Sequence, residues 1–454
     1  MLIKSSSRVA VLDLTHGGAI IARKLGKLVC SVTGIDVYGT LDPAELAALG
    51  NEGIKVSRDA LKASDFDIIV APVHLDPAYP MLTDAIDNKT PVLSHHEAVG
   101  QVLSGYDLKG KTIIEITGTK AKTSTATLLS DILSRQKRVV SHTSRGVEDW
   151  GARRTIKKGL SITPASIISA LDVVLEAGIE PEVLVFEISL GGTGRADIGV
   201  ITTIANDYKI ANNTKMASEA KRQMILNAKP GSSLVINNDA LRFFGSCRRD
   251  VKIISFTDAV NAACNVYYED ISSEGGTIAY YLGSKKGRII IREKPDYDIT
   301  SYKTAFVCAT AIALALNIDN DTIERAIGDF RGAEGRMKRI SLAGRTLIDN
   351  SNSGLDIRTA GKALEFSKRQ GERIIMVLGE EAKEVCEGLP PADVKRFIDK
   401  HMDELTALVL VGERMKPLIV NNIYYADDLK KGLELAKGLT RENDIILSCV
   451  KCFR

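Results

Sequence analysis

The chain has 454 residues, more than one hydrophobic core usually serves, so about two to four domains are expected, and its 44% of hydrophobic residues can fill them. A balance of 60 Lys and Arg against 57 Asp and Glu, net +3 with no basic block, offers no electrostatic footprint for nucleic acid or a membrane surface and points to a small-molecule partner. Apolar runs of about seven or eight residues are too short to span a bilayer, the opening MLIKSSSRVAVLDL lacks a signal-peptide core, and seven scattered cysteines suggest reduced thiols, so a soluble cytoplasmic enzyme is expected.

Residues 1 to about 108 read as a small α/β unit. The strand RVAVLDL leads through a His16-Gly17-Gly18 turn into a helix, as nucleotide-binding folds begin, although the glycines do not make G-x-G-x-x-G. Asp36 follows the second strand, LVCSVTGID, where such folds often carry a ribose-binding acid. The strands FDIIVAP and TPVLS, separated by a helix after Pro80, read as scaffold, and His95 and His96 fall at a strand end, open to substrate contact or to plain surface exposure.

From Lys109 to about Arg336 the pattern is a larger α/β domain. In KTIIEITGTKAKTSTATLLSDILSRQ, an apolar run breaks into a polar loop and resumes at helical spacing, which is strand, loop, helix. Such a loop turns successive backbone N–H groups into one concavity at a helix N-terminus, where the dipole also favours an anion. Lys122 adds a positive charge for a transferred phosphoryl group, and Thr123 or Ser124 can place a hydroxyl on Mg²⁺. The formal pattern G-x-x-x-x-G-K-[ST] is not met, because Ile116 and Ala121 stand where it asks for glycine.

A second strand, KRVVSHTS, is followed by a polar loop with Arg145 and the lone Trp150 near His142, and Thr163-Pro164 opens a helix that leads to the strand PEVLVFEIS. Glu187 in that apolar strand is costly to bury unless paired or metal-bound, which favours a Mg²⁺ ligand over a surface acid. Gly191, Gly192 and Gly194 follow, then the strand GVITTIAND and a helix whose Lys221 reads, on pattern alone, as solvated. The strand SSLVINNDAL ends in Asn237, Asn238 and Asp239, at the end where ligands collect in open α/β sheets. A β-meander, two helices and a Gly335-Arg336-Met337 joint close the domain. The rest of the chain alternates strand and helix, which implies a third unit with a parallel sheet, and its lone Cys449-x-x-Cys452 has no partner pair to suggest a metal.

Three α/β units with a phosphate loop opening the middle one resemble the Mur ligase family, ATP-dependent enzymes that couple a carboxylate to a nucleophile. The resemblance spans essentially the whole chain and implies a Rossmann-like N-terminal substrate domain over 1–108, a central P-loop ATPase domain over 109–336 and a Rossmann-like C-terminal domain over 337–454. The family's loop is G-T-x-G-K-T-[ST], so Gly118, Thr119, Lys120, Ala121, Lys122, Thr123 and Ser124 would cradle the ATP phosphates, with Ala121 in place of the second glycine. Lys122 then takes the phosphate contact and Thr123 a Mg²⁺ contact; Glu187 falls at the family's metal-binding glutamate, and Lys221 at the lysine that becomes carbamylated and so can hold Mg²⁺. Asn237 and Arg336 resemble the family's nucleotide contacts.

Two departures stand out. Asp207-Tyr208 replaces the Asp-His that the family commonly has, and the C-terminal turn reads Asp349-Asn350-Ser351-Asn352-Ser353-Gly354, so Asn350 or Asp349 takes the place of the ribose-binding acid. No D-N-P-R motif for diaminopimelate is present. The loop G-T-K-x-K-T-S-T, the D-N-S-N-S-G turn and the opening unit are most similar to outlying members that activate a propionate of a nickel tetrapyrrole and close a carbocyclic ring. The resemblance therefore implies ATP and Mg²⁺ as cofactors and a carboxylic acid, a nickel tetrapyrrole, as substrate. The rival expectations are an amide or peptide ligase taking an amino acid, and a non-catalytic nucleotide-binding protein.

Overall fold

A computed structural model of the protein describes residues 3–244, 248–260, 263–294, 296–342, 344–381, 388–419 and 423–452. The chain is α/β and forms two compact units, one of Met1–Glu269, Ile278–Ile289 and Thr304–Ala326, the other of Asp270–Thr277, Ile290–Lys303 and Ile327–Arg454.

The first sheet contains β1 (Arg8–Leu12), β2 (Ser31–Ile35), β3 (Lys55–Ser57), β4 (Ile68–Ala71) and β5 (Val92–Ser94), all parallel in the order β3-β2-β1-β4-β5. β1 and β4 are apolar without alternation because helices cover both faces of a parallel sheet. The helix His95–Val102 starts with a capping box, the Ser94 hydroxyl accepting from the Glu97 N–H and the Glu97 carboxylate accepting from the Ser94 N–H. His95 and His96 are therefore the first residues of a helix, and both are buried, which removes the reading of surface exposure.

The second sheet is eleven-stranded. Its strands are β6 (Thr112–Thr117), β7 (Val139–Thr143), β8 (Gly146–Asp149), β9 (Arg154–Lys157), β10 (Val183–Glu187), β11 (Ile198–Ile201), β14 (Ser233–Asn237), β15 (Lys252–Val260), β16 (Val266–Ile271), β17 (Gly275–Leu282) and β18 (Lys285–Arg292), while β12 (Lys209–Ile210) and β13 (Lys215–Met216), between β11 and β14 in the chain, pair as a separate small hairpin. The order is β18-β17-β16-β15-β14-β11-β6-β10-β7-β8-β9. β6 lies between β11 and β10, parallel to both, so the C-terminal ends of these three strands open on one side. The polar loop read around Arg145 and Trp150 instead holds two antiparallel strands, β8 and the edge strand β9, and the indole N–H of Trp150, which follows β8, bonds to Ser141 Oγ at 2.8 Å.

One apolar core joins the two sheets, running from Val9, Val11 and Val99 to Ile168, Phe186 and Ile236. The helix carrying His95 and His96 comes so close to the loop after β10 that a Cβ on Gly100 would sit 2.2 Å from the Thr193 carbonyl oxygen. Only glycine permits that approach.

The second unit holds the third sheet, of β19 (Lys338–Leu342), β20 (Arg345–Asp349), β21 (Ile374–Glu380), β22 (Ala407–Val411), β23 (Ile423–Ala426) and β24 (Ile445–Lys451), in the order β19-β20-β24-β21-β22-β23. It is parallel apart from β19, and the helices Ile357–Lys368, Pro391–His401 and Leu429–Leu439 connect its strands. Cys449 and Cys452 are buried in its core, where burial pushes the Cys449 thiol up to about 12. Among the described residues no helix is long and apolar enough to cross a membrane.

Candidate active site

The phosphate-loop segment leaves the C-terminal end of β6 and enters the thirteen-residue helix Lys122–Ser134. Gly118 is at φ +147°, and a Cβ there would lie 2.0 Å from Thr202 Oγ1. The Thr202 hydroxyl is hydrogen-bonded to the carbonyls of Lys120 (2.6 Å) and Thr117 (3.2 Å), and the Thr119 N–H and hydroxyl reach the carbonyls of Thr203 (2.9 Å) and Ala205 (2.7 Å). The loop is thus pinned from the end of β11. Ala121, at φ 64° and ψ 3°, precedes the helix in the left-handed region, with no side chain capping the helix N-terminus. The alanine therefore adopts a backbone shape natural to glycine, at a cost of about 1 kcal/mol. The Lys122 ammonium curls back to donate to the Gly118 carbonyl at 3.0 Å, and Thr123 and Ser124 are buried in the first helical turn.

Glu187, the last residue of β10, is 2% exposed, and local donors meet both of its carboxylate oxygens. Its Oε1 accepts from the Thr123 hydroxyl at 3.0 Å and its Oε2 from the Ser144 N–H at 3.1 Å, while the Ser144 hydroxyl lies 3.3 Å from Thr123 Oγ1. Three adjacent parallel strands, β6, β10 and β7, thereby deliver a hydroxyl, a carboxylate and a second hydroxyl to one point.

Lys221 ends the short helix Ala217–Lys221 and is 1% exposed, so the solvated reading fails. The helical pattern misleads because the segment breaks into two short helices, Ala217–Lys221 and Gln223–Leu226, and Ala217 and Ala220 pack with Ile210, Leu190 and Tyr208. The Lys221 ammonium stands 5.0 Å from the Tyr208 ring centroid. The glycine loop after Glu187 borders this group, since a Cβ on Gly191 would lie 3.3 Å from both the Ala220 carbonyl and His96 Nε2. His96 Nε2 is itself 2.7 Å from the Ser189 carbonyl, and burial pushes the imidazole down to about 4.

Asn237 donates to the Thr202 carbonyl at 2.8 Å, while Asp239 accepts from the Ile204 and Ala205 N–H groups at 3.0 and 3.2 Å and from the Thr203 hydroxyl. Both brace the segment that pins the phosphate loop. Sequence reasoning missed Glu115, which is wholly buried in β6 and accepts from the Thr193 N–H at 2.7 Å and from the Thr193 hydroxyl. Burial pushes its carboxyl up, against the bonds from Thr193. An acid inside an apolar strand was the available signal, the same one that singled out Glu187. Asp36 binds the N–H groups of its own turn, Thr40 and Leu41, each at 3.3 Å.

In the second unit, Asp349 accepts from the Gly335 and Ser351 N–H groups at 3.0 and 3.2 Å. Asn350 is buried beside it, with its amide 3.9 Å from Cys449 Sγ, and the Arg336 guanidinium lies 3.5 Å from the Gly335 carbonyl.

The donor set suits an anion and a hard cation. A helix N-terminus preceded by a left-handed residue and a glycine cradle, with one lysine beside it, is the kind of geometry that takes an anion such as phosphate. The oxygen donors Thr123 and Glu187, 3.0 Å apart, are of the kind Mg²⁺ takes.

Residues 116–293 match the family model "Mur ligase middle domain", and residues 339–452 match "Coenzyme F430 synthetase CfbE, C-terminal domain". The chain is similar to the coenzyme F(430) synthetase of Methanosarcina acetivorans, 47% identical over 98% of this chain and 99% of that protein. Among solved structures it resembles MurF from Acinetobacter baumannii (TM-score 0.56, 15% identity, 79% of this chain and 78% of that one). It also resembles MurF ligase from Thermotoga maritima in complex with ADP (TM-score 0.53, 13% identity, 93% of this chain and 92% of that one). A relative this similar over nearly the full length of both chains, together with the matched central and C-terminal domains, shows that the chain belongs to the Mur ligase family, among the coenzyme F(430) synthetases.

Proposed function

We propose that the protein uses ATP to convert a propionate side chain of a nickel tetrapyrrole into an acyl phosphate, on which a carbon of the same macrocycle closes a ring. The observation that carries the phosphoryl-transfer part is the meeting of Thr123 and Glu187 at 3.0 Å beside the loop. The tetrapyrrole part rests on the 47% identical relative.

In this reading the backbone N–H groups of residues 118–124 and the Lys122 ammonium hold the phosphates and neutralise charge that grows on the transferred phosphoryl group. Thr123, Glu187 and a carbamate on Lys221 would hold Mg²⁺, which when bound supplies charge neutralisation between the phosphates. Carbamylation joins CO₂ to Nζ and releases two protons from the ammonium, turning a buried cation into an anion. Glu115 and Thr193 hold the glycine loop in place, and Asn237 and Asp239 keep Thr202 against the loop. For Arg336, Asp349 and Asn350 as nucleotide contacts, and for the division at 1–108, 109–336 and 337–454, the proposal rests on the family resemblance. The setting is the cytoplasm.

The test is ADP release against a panel of carboxylic acids. Release confined to the nickel tetrapyrrole acid supports the reading, and release only with a peptide precursor plus an amino acid replaces it with amide ligation. No release with any acid leaves a nucleotide-binding protein without chemistry.

A further inference from the structure

A second group of side chains lies in the first sheet, apart from the phosphate loop. β1 ends at Leu12, and the next residue, Asp13, turns into the left-handed region at φ 62° and ψ 74° with its side chain fully buried. Its Oδ1 accepts from the His16 N–H at 3.1 Å. Both of its oxygens lie 2.9 Å from His16 Nδ1, and Oδ2 is 3.2 Å from Nε2 of His74, which comes from the loop after β4. The strand order β3-β2-β1-β4-β5 reverses direction between β1 and β4, so these loops flank the crevice where open α/β sheets take their ligands.

The two imidazoles meet edge to face at 5.5 Å, and His16 meets Tyr38 in the same manner at 5.6 Å. The His16 and His74 side chains are 37% and 31% exposed against 0% for Asp13, so the carboxylate is inside and the rings stand at the mouth. One donor atom from each of the three residues falls within 4.8 Å of the others.

Capping the turn at His16 needs only the carboxylate. It does not account for a second imidazole brought to the same oxygens by a different loop. A buried carboxylate behind an imidazole fixes the ring and directs its other nitrogen outward, the arrangement found behind metal-bound histidines. Two imidazoles and one carboxylate with open positions suit a first-row divalent metal of the zinc and nickel class, whereas Mg²⁺ and Ca²⁺ prefer oxygen donors alone.

We propose that Asp13, His16 and His74 form a coordination site for a divalent first-row metal centre at the mouth of the β1/β4 crevice. The metal chemistry is the same for two sources. An aqueous ion takes donors from all three residues, and nickel already held in a macrocycle accepts an imidazole at its open axial position while Asp13 holds that ring. The second source rests on the function proposed above; the first does not.

The experiment uses the full-length protein and the variants His16→Ala and His74→Ala, both at partly exposed positions, with circular dichroism to confirm the fold. In one arm Ni²⁺ is titrated calorimetrically; in the other the nickel tetrapyrrole acid is added without ATP and its visible absorption is followed. One-to-one Ni²⁺ binding weakened at least about tenfold by either substitution supports the aqueous source. A shift of the macrocycle band present in the wild type and lost in His16→Ala or His74→Ala supports the tetrapyrrole source. Wild-type and variant proteins indistinguishable in both arms overturn the site, even if the tetrapyrrole is turned over with ATP. Site-dependent Ni²⁺ binding with no tetrapyrrole binding or turnover keeps the site and overturns the proposed substrate.

Discussion

The ammonium of Lys221 stands 5.0 Å from the ring centroid of Tyr208. The resemblance to the Mur ligase family puts Tyr208 where a histidine is common and proposes Lys221 as the carbamylated lysine, so the main departure in the sequence lies beside the residue whose proposed role it bears on. A phenol ring has no imidazole nitrogen to offer a metal, but its face can hold a cation and its edge can pack against an aliphatic stem. Lys221→Ala is expected to lose turnover by the order of several kcal/mol of transition-state stabilisation, with partial rescue by a small added carboxylate. Tyr208→Phe, which keeps the ring face, is expected to stay within about tenfold of wild type. Wild-type turnover in Lys221→Ala at saturating Mg²⁺, without rescue, contradicts the carbamate role.

Lys122 donates to a carbonyl of its own loop, Gly118, and a lysine of this loop contributes little to the core, so its removal should leave the fold nearly untouched. Lys122→Ala is expected to reduce kcat by at least about a hundredfold while shifting the thermal midpoint by no more than about 2 °C. Steady-state ADP release and a thermal melt check both halves, and undiminished turnover removes the phosphate-loop assignment.

Ala121 at φ 64° carries a left-handed backbone that glycine would take freely. Ala121→Gly is expected to stabilise the protein by about 0.5 to 1 kcal/mol, the relief of strain exceeding the added chain entropy of the unfolded state, and to retain turnover. Urea denaturation measures it. A lower midpoint for the glycine variant would show that the alanine methyl makes a packing contribution larger than the strain.

Burial pushes His95, His96 and His142 each down to about 4 from an ordinary value of 6.5. Between those values the unfolded chain binds protons that the folded one refuses, so stability is fully present above about pH 6.5 and falls as the pH drops towards 4. The urea midpoint at pH 5 should lie below that at pH 7, and His96→Gln should show a shallower decline. An equally steep decline in that variant would mean that His96 is not among the groups responsible.

Strand and helix positions were legible because apolar runs bounded by glycine and polar turns mark buried parallel strands, as in β6 and β10. Glu187 was legible for the same reason, since a carboxylate in an apolar strand demands compensation. The strands β8 and β9 were not, because β9, the edge strand, is exposed and polar and carries no apolar period. The helical pattern around Lys221 misleads for a tertiary reason: the residue is buried beside Tyr208 and near the glycine loop around Gly191, which a local pattern does not register. The convergence of Asp13 with His74 escaped as well, because 61 residues separate them and only the sheet order brings the two loops together.

The central claim is that a substrate carboxylate becomes an acyl phosphate. The nickel tetrapyrrole acid labelled with ¹⁸O in that carboxylate, incubated with enzyme and ATP, tests it most directly, with phosphate and product both analysed by mass spectrometry. One ¹⁸O in the released phosphate, and a product lighter than the acid by one water with the other ¹⁸O retained as a ketone, is the predicted result. Unlabelled phosphate, or a product heavier by an amino-acid residue, would contradict it.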